Sequence, residues 1–216
     1  MDEKVIELKE ISKRFGEETV LKAVSISFEK GKIYGLVGRN GSGKTVLLKI
    51  ICGFLKPDTG TVSINGTVLG KKQEFPENVG ILIEKPGFLP QKNGFQSLKY
   101  LAAIQNKVDD SRIREVLQMV GLGDAGRKPV GKYSMGMRQR LGIAQAILEN
   151  PSILLLDEPM NGLDDQGANE IRNLLKQLRD ENRTIILASH IKEDIQELCD
   201  VVYHIDAGVL SESTIR

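Results

Sequence analysis

Cysteine is scarce. Cys52 and Cys199 are the only two in the 216-residue sequence, far apart and each inside an apolar stretch. That excludes a disulfide framework and a cysteine-based metal site, and leaves two small core residues in a reducing compartment. Long hydrophobic runs are missing too: no stretch approaches the roughly 20 apolar residues that cross a bilayer. The start, Met1-Asp2-Glu3-Lys4, lacks a signal-peptide pattern, so the expectation is a soluble cytosolic chain. Neither sign of charge is in excess, since 30 Lys and Arg against 29 Asp and Glu leave +1. A basic wrap around nucleic acid is therefore not expected. There is no tandem repeat, no low-complexity tract and no sustained heptad array. A hydrophobic content of 40% rules out intrinsic disorder, and the length favours one domain or one domain with a small lobe.

Glycine is plentiful, with 22 residues, several of them clustered. Residues 4–30 alternate, with Ile6 and Leu8 early and Val24, Ile26 and Phe28 later, as half-buried antiparallel strands do. Gly60 to Gly70 repeats the pattern around Asn65-Gly66, a two-residue hairpin signal. Ile33–Val37 reads as a short buried strand, followed by a glycine loop and a helical stretch from Thr45 to Leu55. Val79–Glu84 is another short apolar run. Residues 96–125 carry two helical patterns, the second with Ile113, Val116, Leu117 and Val120 on one face. Met137, Leu141, Ala144 and Leu148 mark a further helix, stopped at Asn150-Pro151.

Strand and helix then alternate. Ile153–Asp157, Thr184–Ser189 and a last strand Val201–Asp206 are separated by helix faces at Ile171, Leu174, Leu175 and Leu178, and at Ile195, Leu198 and Cys199. Apolar strands between amphipathic helices imply a parallel sheet covered on both faces. The helical block near 90–150 interrupts this rhythm and reads as a lobe.

Gly38-Arg-Asn-Gly-Ser-Gly-Lys-Thr45 fits the pattern G-x-x-x-x-G-K-[ST] between a strand and a helix. Its glycines, Gly38, Gly41 and Gly43, let the backbone curl so that N–H groups of Arg39, Asn40 and Ser42 turn inward at an anion. The helix behind adds its N-terminal partial charge. Lys44 suits the β- and γ-phosphates of a nucleoside triphosphate, and the Thr45 hydroxyl suits Mg²⁺. The second acidic element is Ile153-Leu-Leu-Leu-Asp-Glu-Pro159. Asp157 and Glu158 emerge at the C-terminal end of a buried strand, the edge where parallel sheets bind ligands. Asp157 suits the metal and Glu158 the polarisation of the attacking water.

Further segments carry a resemblance. Tyr133-Ser-Met-Gly-Met-Arg-Gln-Arg-Leu141 resembles the signature of ATP-binding cassette (ABC) ATPases, Asn161-Gly-Leu-Asp164 their D-loop, and Ser189-His190 their switch histidine. Phe15 sits where that family keeps an aromatic on the adenine. The resemblance covers nearly the whole chain. It implies a P-loop NTPase (RecA-like) α/β fold with a mostly parallel sheet, an antiparallel β layer and an inserted α-helical subdomain. On that reading residues 1–216 form one domain: 1–30 and 58–72 the β layer, 31–57 and 150–216 the core, and about 90–149 the helical subdomain. It also implies contacts from Val46 to ATP, and a trans site in which Ser134, Gly136, Met137 and Asp164 face the nucleotide of a second copy. An isologous head-to-tail pair, a homodimer or paired cassette, would then enclose two ATPs. His190 would order Glu158 and the water. His204 matches no motif and reads as structural.

Two departures stand out. Met135 and Met137 replace the usual glycine and glutamine of the signature. Glu84 replaces a glutamine that touches Mg²⁺, placing a third carboxylate beside Asp157 and Glu158 and implying a stronger Mg²⁺ requirement. These features resemble the branch that exports bacitracin- and lantibiotic-type peptides. The implied partner is a separate transmembrane permease, with the chain peripheral on the inner face of the cell membrane. Lys85-Pro-Gly-Phe-Leu-Pro90, with Phe88 and Leu89, would meet that permease or cap the core. The alternative is a soluble ABC ATPase acting on DNA or ribosomes, which the missing heptads and single cassette disfavour; no nucleic-acid partner is expected. A regulator without catalysis is disfavoured by Lys44, Asp157, Glu158 and His190. The chain stops soon after Gly208, shorter than many exporter cassettes of this branch.

Overall fold

Alternation in the first thirty residues builds a hairpin, β1 (Lys4–Phe15) and β2 (Glu18–Glu29), turned at Gly16. The remaining elements are β3 (Ile33–Val37), α1 (Lys44–Ile51), β4 (Thr59–Ile64), β5 (Thr67–Val68), β6 (Val79–Leu82), α2 (Gly94–Gln105), α3 (Asp110–Met119), α4 (Met135–Ile147), β7 (Ile153–Asp157), α5 (Asp165–Asp180), β8 (Thr184–Ala188), α6 (Lys192–Leu198), β9 (Val201–Asp206) and β10 (Val209–Ser213). This computed structural model describes residues 3–70, 73–84, 86–125 and 127–213. Met1 and Asp2, Lys71 and Lys72 at the end of the expected β layer, Lys85 of the expected permease loop, and 214–216 of the expected core lie outside the described residues.

Two sheets stack. The antiparallel sheet runs β2-β1-β4-β5. Its β4–β5 turn is Asn65-Gly66 with φ of 48° and 78°, the double positive φ that makes Asn-Gly a hairpin signal. The second sheet runs β10-β9-β3-β8-β7-β6, parallel from β9 to β6. Its central strands β3, β8 and β7 are buried on both faces, which is why they read as continuous apolar runs. Ile153 and Leu155 of β7 join a core shared with Phe28, Leu47 and Ile51 beneath the antiparallel sheet, while Leu154 and Leu156 join a core with Leu141, Ile171 and Leu175. The helical lobe continues that second core through Leu98, Ile113 and Val116. Cys52 and Cys199 are both buried, and burial pushes the Cys199 thiol up to about 12.

Three boundaries differ from the sequence expectation. α1 ends at Ile51 rather than Leu55, because Gly53 turns at φ 78° against the carbonyl of Glu74. β9 is not the last strand: Ala207-Gly208, at φ 46° and 81°, turns the chain into antiparallel β10. The run Ser211-Glu-Ser is too polar to signal a strand by pattern, and it pairs only as a sheet edge. β6, which fell between the expected segments, lies in the core sheet beside β7.

Candidate active site

The loop from β3 to α1 is built by close approach. A Cβ at Gly38 would stand 2.4 Å from Ile205 O and 2.5 Å from Ser42 Oγ. Gly41 and Gly43 turn at φ 79° and 109°, where L side chains are strained. Lys44 Nζ donates to Gly38 O (2.7 Å) and Arg39 O (3.2 Å), so its ammonium lies folded onto its own loop. Ser42 Oγ is buried with no partner among the described residues, and α1 begins without a side-chain cap. A buried hydroxyl, uncapped helix N–H groups and a lysine held only by carbonyls are groups that an anionic ligand satisfies. The residues present therefore fit a triphosphate.

The acidic side is formed at the C-terminal end of β7. Thr45 Oγ1 donates to Asp157 Oδ2 at 2.6 Å, linking α1 to β7. Asp157 is held above the usual carboxylate range, first by burial and then by the negative charges of Glu158 and Glu84; the Thr45 hydrogen bond and Lys44 act against this. A threonine hydroxyl beside a destabilised carboxylate is a hard-oxygen pair that fits Mg²⁺. Glu158 follows at φ 49°. Its Oε2 lies 2.8 Å from His190 Nδ1, and its N–H donates to Ala188 O at 2.9 Å.

Glu84 departs from expectation. Its carboxylate pairs with Lys49 of α1 and its side chain is 64% exposed. Among the described residues no three acidic, histidine or cysteine side chains converge as a metal group. Glu84 is thus paired with Lys49 rather than turned directly onto Asp157 or Glu158, although its charge still acts on Asp157.

The other expected residues lie on a second surface. Ser134 caps α4, its Oγ accepting from Met137 N–H at 3.1 Å, and Asp164 caps α5 through Gly167 N–H at 2.9 Å. Both line an open cleft of about 730 Å³ with Gly136 and Met137. None of residues 38–45 lines that cleft. Phe15, at the end of β1, is 49% exposed with Lys13 Nζ 5.6 Å from its ring centroid. Phe88 packs against the core while Leu89 is exposed, so only the second is a surface apolar side chain.

Sequence reasoning missed several supports. Ser189 Oγ donates to Asp194 Oδ2 (3.0 Å) and accepts from Ile191 N–H (3.1 Å), and Asp194 is paired with Arg172 of α5 at 2.8–2.9 Å, all three buried. Ser189 and Ile191, joined by one of these bonds, flank His190 in the chain. An arginine on the apolar side of α5 was the one sequence signal of the buried pair. Gln139 of α4 donates to Glu158 O (2.9 Å) and Pro159 O (3.1 Å), which nothing in the spacing announced.

A glycine loop opening a helix with Lys-Thr, facing an Asp-Glu pair at the carboxyl edge of a parallel sheet, defines a P-loop NTPase. The family model described as ABC transporter matches residues 21–161. The chain belongs to the ABC transporter family and is its ATP-binding, ATP-hydrolysing subunit. It is 44% identical over 209 residues to the uncharacterized ABC transporter ATP-binding protein YybJ of Bacillus subtilis (strain 168), covering 97% of this chain and 96% of that one. It is 42% identical over 212 residues to the bacitracin transport ATP-binding protein BcrA of Enterococcus faecalis, covering 97% and 69%. The fold matches the dimeric post-hydrolysis state of the ATP-binding cassette MJ0796 bound to ADP and Pi, with TM-score 0.88, 23% identity and coverage of 98% and 99%. Among the described residues no helix is long and apolar enough to cross a membrane.

Proposed function

We propose that the chain is the energy-coupling subunit of an exporter for a peptide antibiotic or similar amphipathic compound. It works with a separate transmembrane permease at the cytoplasmic face of the membrane and handles no nucleic acid. The 42% identity to a bacitracin transport protein supports the cargo class. Two copies meet head to tail around two Mg-ATP. Phe15 stacks on the adenine, Gly38 to Val46 hold the phosphates, and Ser134, Gly136, Met137 and Asp164 complete the site from the opposite copy. The observation that carries this reading is convergence at one sheet edge: Thr45 to Asp157 at 2.6 Å and Glu158 to His190 at 2.8 Å, beside the glycine loop.

The geometry implies a division of labour. Lys44 leaves the carbonyls of Gly38 and Arg39 for the β- and γ-phosphates. Thr45 and Asp157 would hold Mg²⁺, which when bound neutralises charge on the β/γ oxygens. His190, with Nδ1 as the donor, holds the Glu158 carboxylate aimed. Glu158 accepts the proton of the attacking water as its oxygen bonds to the γ-phosphorus. The bond from that phosphorus to the bridging oxygen breaks, and ADP departs with the electron pair.

The decisive experiment is Glu158→Gln. ATP binding persists, turnover falls by about 10²–10⁴-fold, the range for a lost general base, and an ATP-bound dimer accumulates in gel filtration. Normal turnover in this variant removes Glu158 from the role.

A further inference from the structure

The chain's two nucleotide-facing surfaces are separate, yet one short segment spans both. Residues 158–164 begin at Glu158, beside the chain's own glycine loop, and end at Asp164 in the signature cleft. The first turns of α4 clamp this segment at two points. One is a close approach without side chains: a Cβ at Gly136 would stand 2.8 Å from Gly162 O. The other is Gln139, whose Nε2 bridges Glu158 O at 2.9 Å and Pro159 O at 3.1 Å.

What Gln139 grips is a backbone out of its ordinary range. Glu158 sits at φ 49°, in the left-handed region that costs a non-glycine residue free energy. Its conformation is held from three sides: its N–H donates to Ala188 O, and its carbonyl accepts from Asn161 N–H (3.1 Å) and from Gln139. Only the Asn161 bond is local; Ala188 is the last residue of β8. Gln139 alone grips with a side chain, and it comes from α4, the helix that Ser134 caps five residues earlier.

We infer that Gln139 is a positioning residue that couples the two half-sites of one chain. It fixes the Glu158 carboxylate in its productive place only while α4 is seated, and so ties hydrolysis of the chain's own ATP to engagement of the nucleotide carried by the opposite copy. The inference rests on the reading of Glu158 as the base and of the Ser134 cleft as the trans site. The physical element is α4 with its clamp, whose position both sites bias.

The test compares three substitutions in the full chain, by ATPase rate against ATP concentration and by equilibrium ATP binding. Gln139→Glu replaces the donor with an anion against two carbonyls. Gln139→Met keeps the length and removes the donor. Gln139→Lys keeps a donor. In the first two, kcat falls about tenfold or more and the Hill coefficient drops from about two toward one, while ATP affinity of the isolated chain is unchanged. Gln139→Lys stays within about threefold of the parent on the same measures. Three results would overturn the inference: parental rate and cooperativity in Gln139→Glu and Gln139→Met, a Gln139→Lys as impaired as those two, or loss of folding or ATP binding in both donor-free variants. Full turnover in Glu158→Gln would instead overturn the underlying reading, so the two failures are told apart.

Discussion

Asp157 shows how a single carboxylate serves function at the expense of the metal-free fold. Burial and two acidic neighbours raise its pKa. An acid that binds its proton more tightly folded than unfolded adds stability at low pH, and that stability is lost as pH rises through the folded value. The melting temperature of the metal-free chain is therefore expected to rise more, on going from neutral to mildly acidic buffer, than that of Asp157→Asn. At neutral pH, Asp157→Asn keeps a polar partner for Thr45 and removes the buried charge, stabilising the metal-free protein by about 1 kcal/mol, or roughly 2–4 °C. Hydrolysis is lost in the same variant. Thermal melts in chelator, with and without the substitution, check both the sign and the pH window. The Lys44, Thr45, Asp157 and Glu158 positions were legible in the sequence because each sits at a fixed offset from a strand end. The resemblance also supplied His190 as the partner of the Glu158 side chain, but neither Lys49 beside Glu84 nor Gln139 on the Glu158 backbone was legible. Lys49 lies 35 residues from Glu84 and Gln139 19 residues from Glu158, and no spacing rule joins residues that only the fold brings together.

At the scale of elements, legibility followed turn chemistry. Asn65-Gly66 announced its hairpin because both residues accept positive φ readily, whereas Ala207-Gly208 makes a similar turn with only one residue that signals it. β10 was missed for that reason and for its polar edge. Strands of the parallel sheet were visible as apolar runs, while their order was not, since β9 beside β3 and β7 beside β6 is a matter of crossover. The contact between β6 and α4 carries a prediction. A Cβ at Gly80 would stand 2.0 Å from Ala146 O and 2.7 Å from Leu154 Cδ2. Gly80→Ala must push α4 off the sheet, at a cost of about 1–3 kcal/mol for an overpacked site. Because α4 carries Ser134, the variant is expected to lose ATP-driven pairing more than ATP binding. Calorimetry of the melt and light scattering with ATP separate the two; equal losses would contradict the expectation.

For the whole molecule, the proposed reading, in which the Ser134 cleft faces the nucleotide of a second copy, predicts collective activity, since none of residues 38–45 lines that cleft. Specific ATPase activity of the isolated chain is expected to rise with protein concentration and then plateau as pairs form. A rate per chain that stays flat over a hundredfold dilution would contradict that. The perimeter of the core sheet bears on how such pairs can form. β10 closes one side with Ser211, Glu212 and an antiparallel course, and at the other β6 is only four residues long. Neither rim offers a long apolar template onto which another backbone could zip. Copies of this protein are thus steered away from permanent β-type fusion and toward the carboxyl-end loops. On the proposed reading the adhesive there is a consumable small molecule, and the union would dissolve each time it is spent.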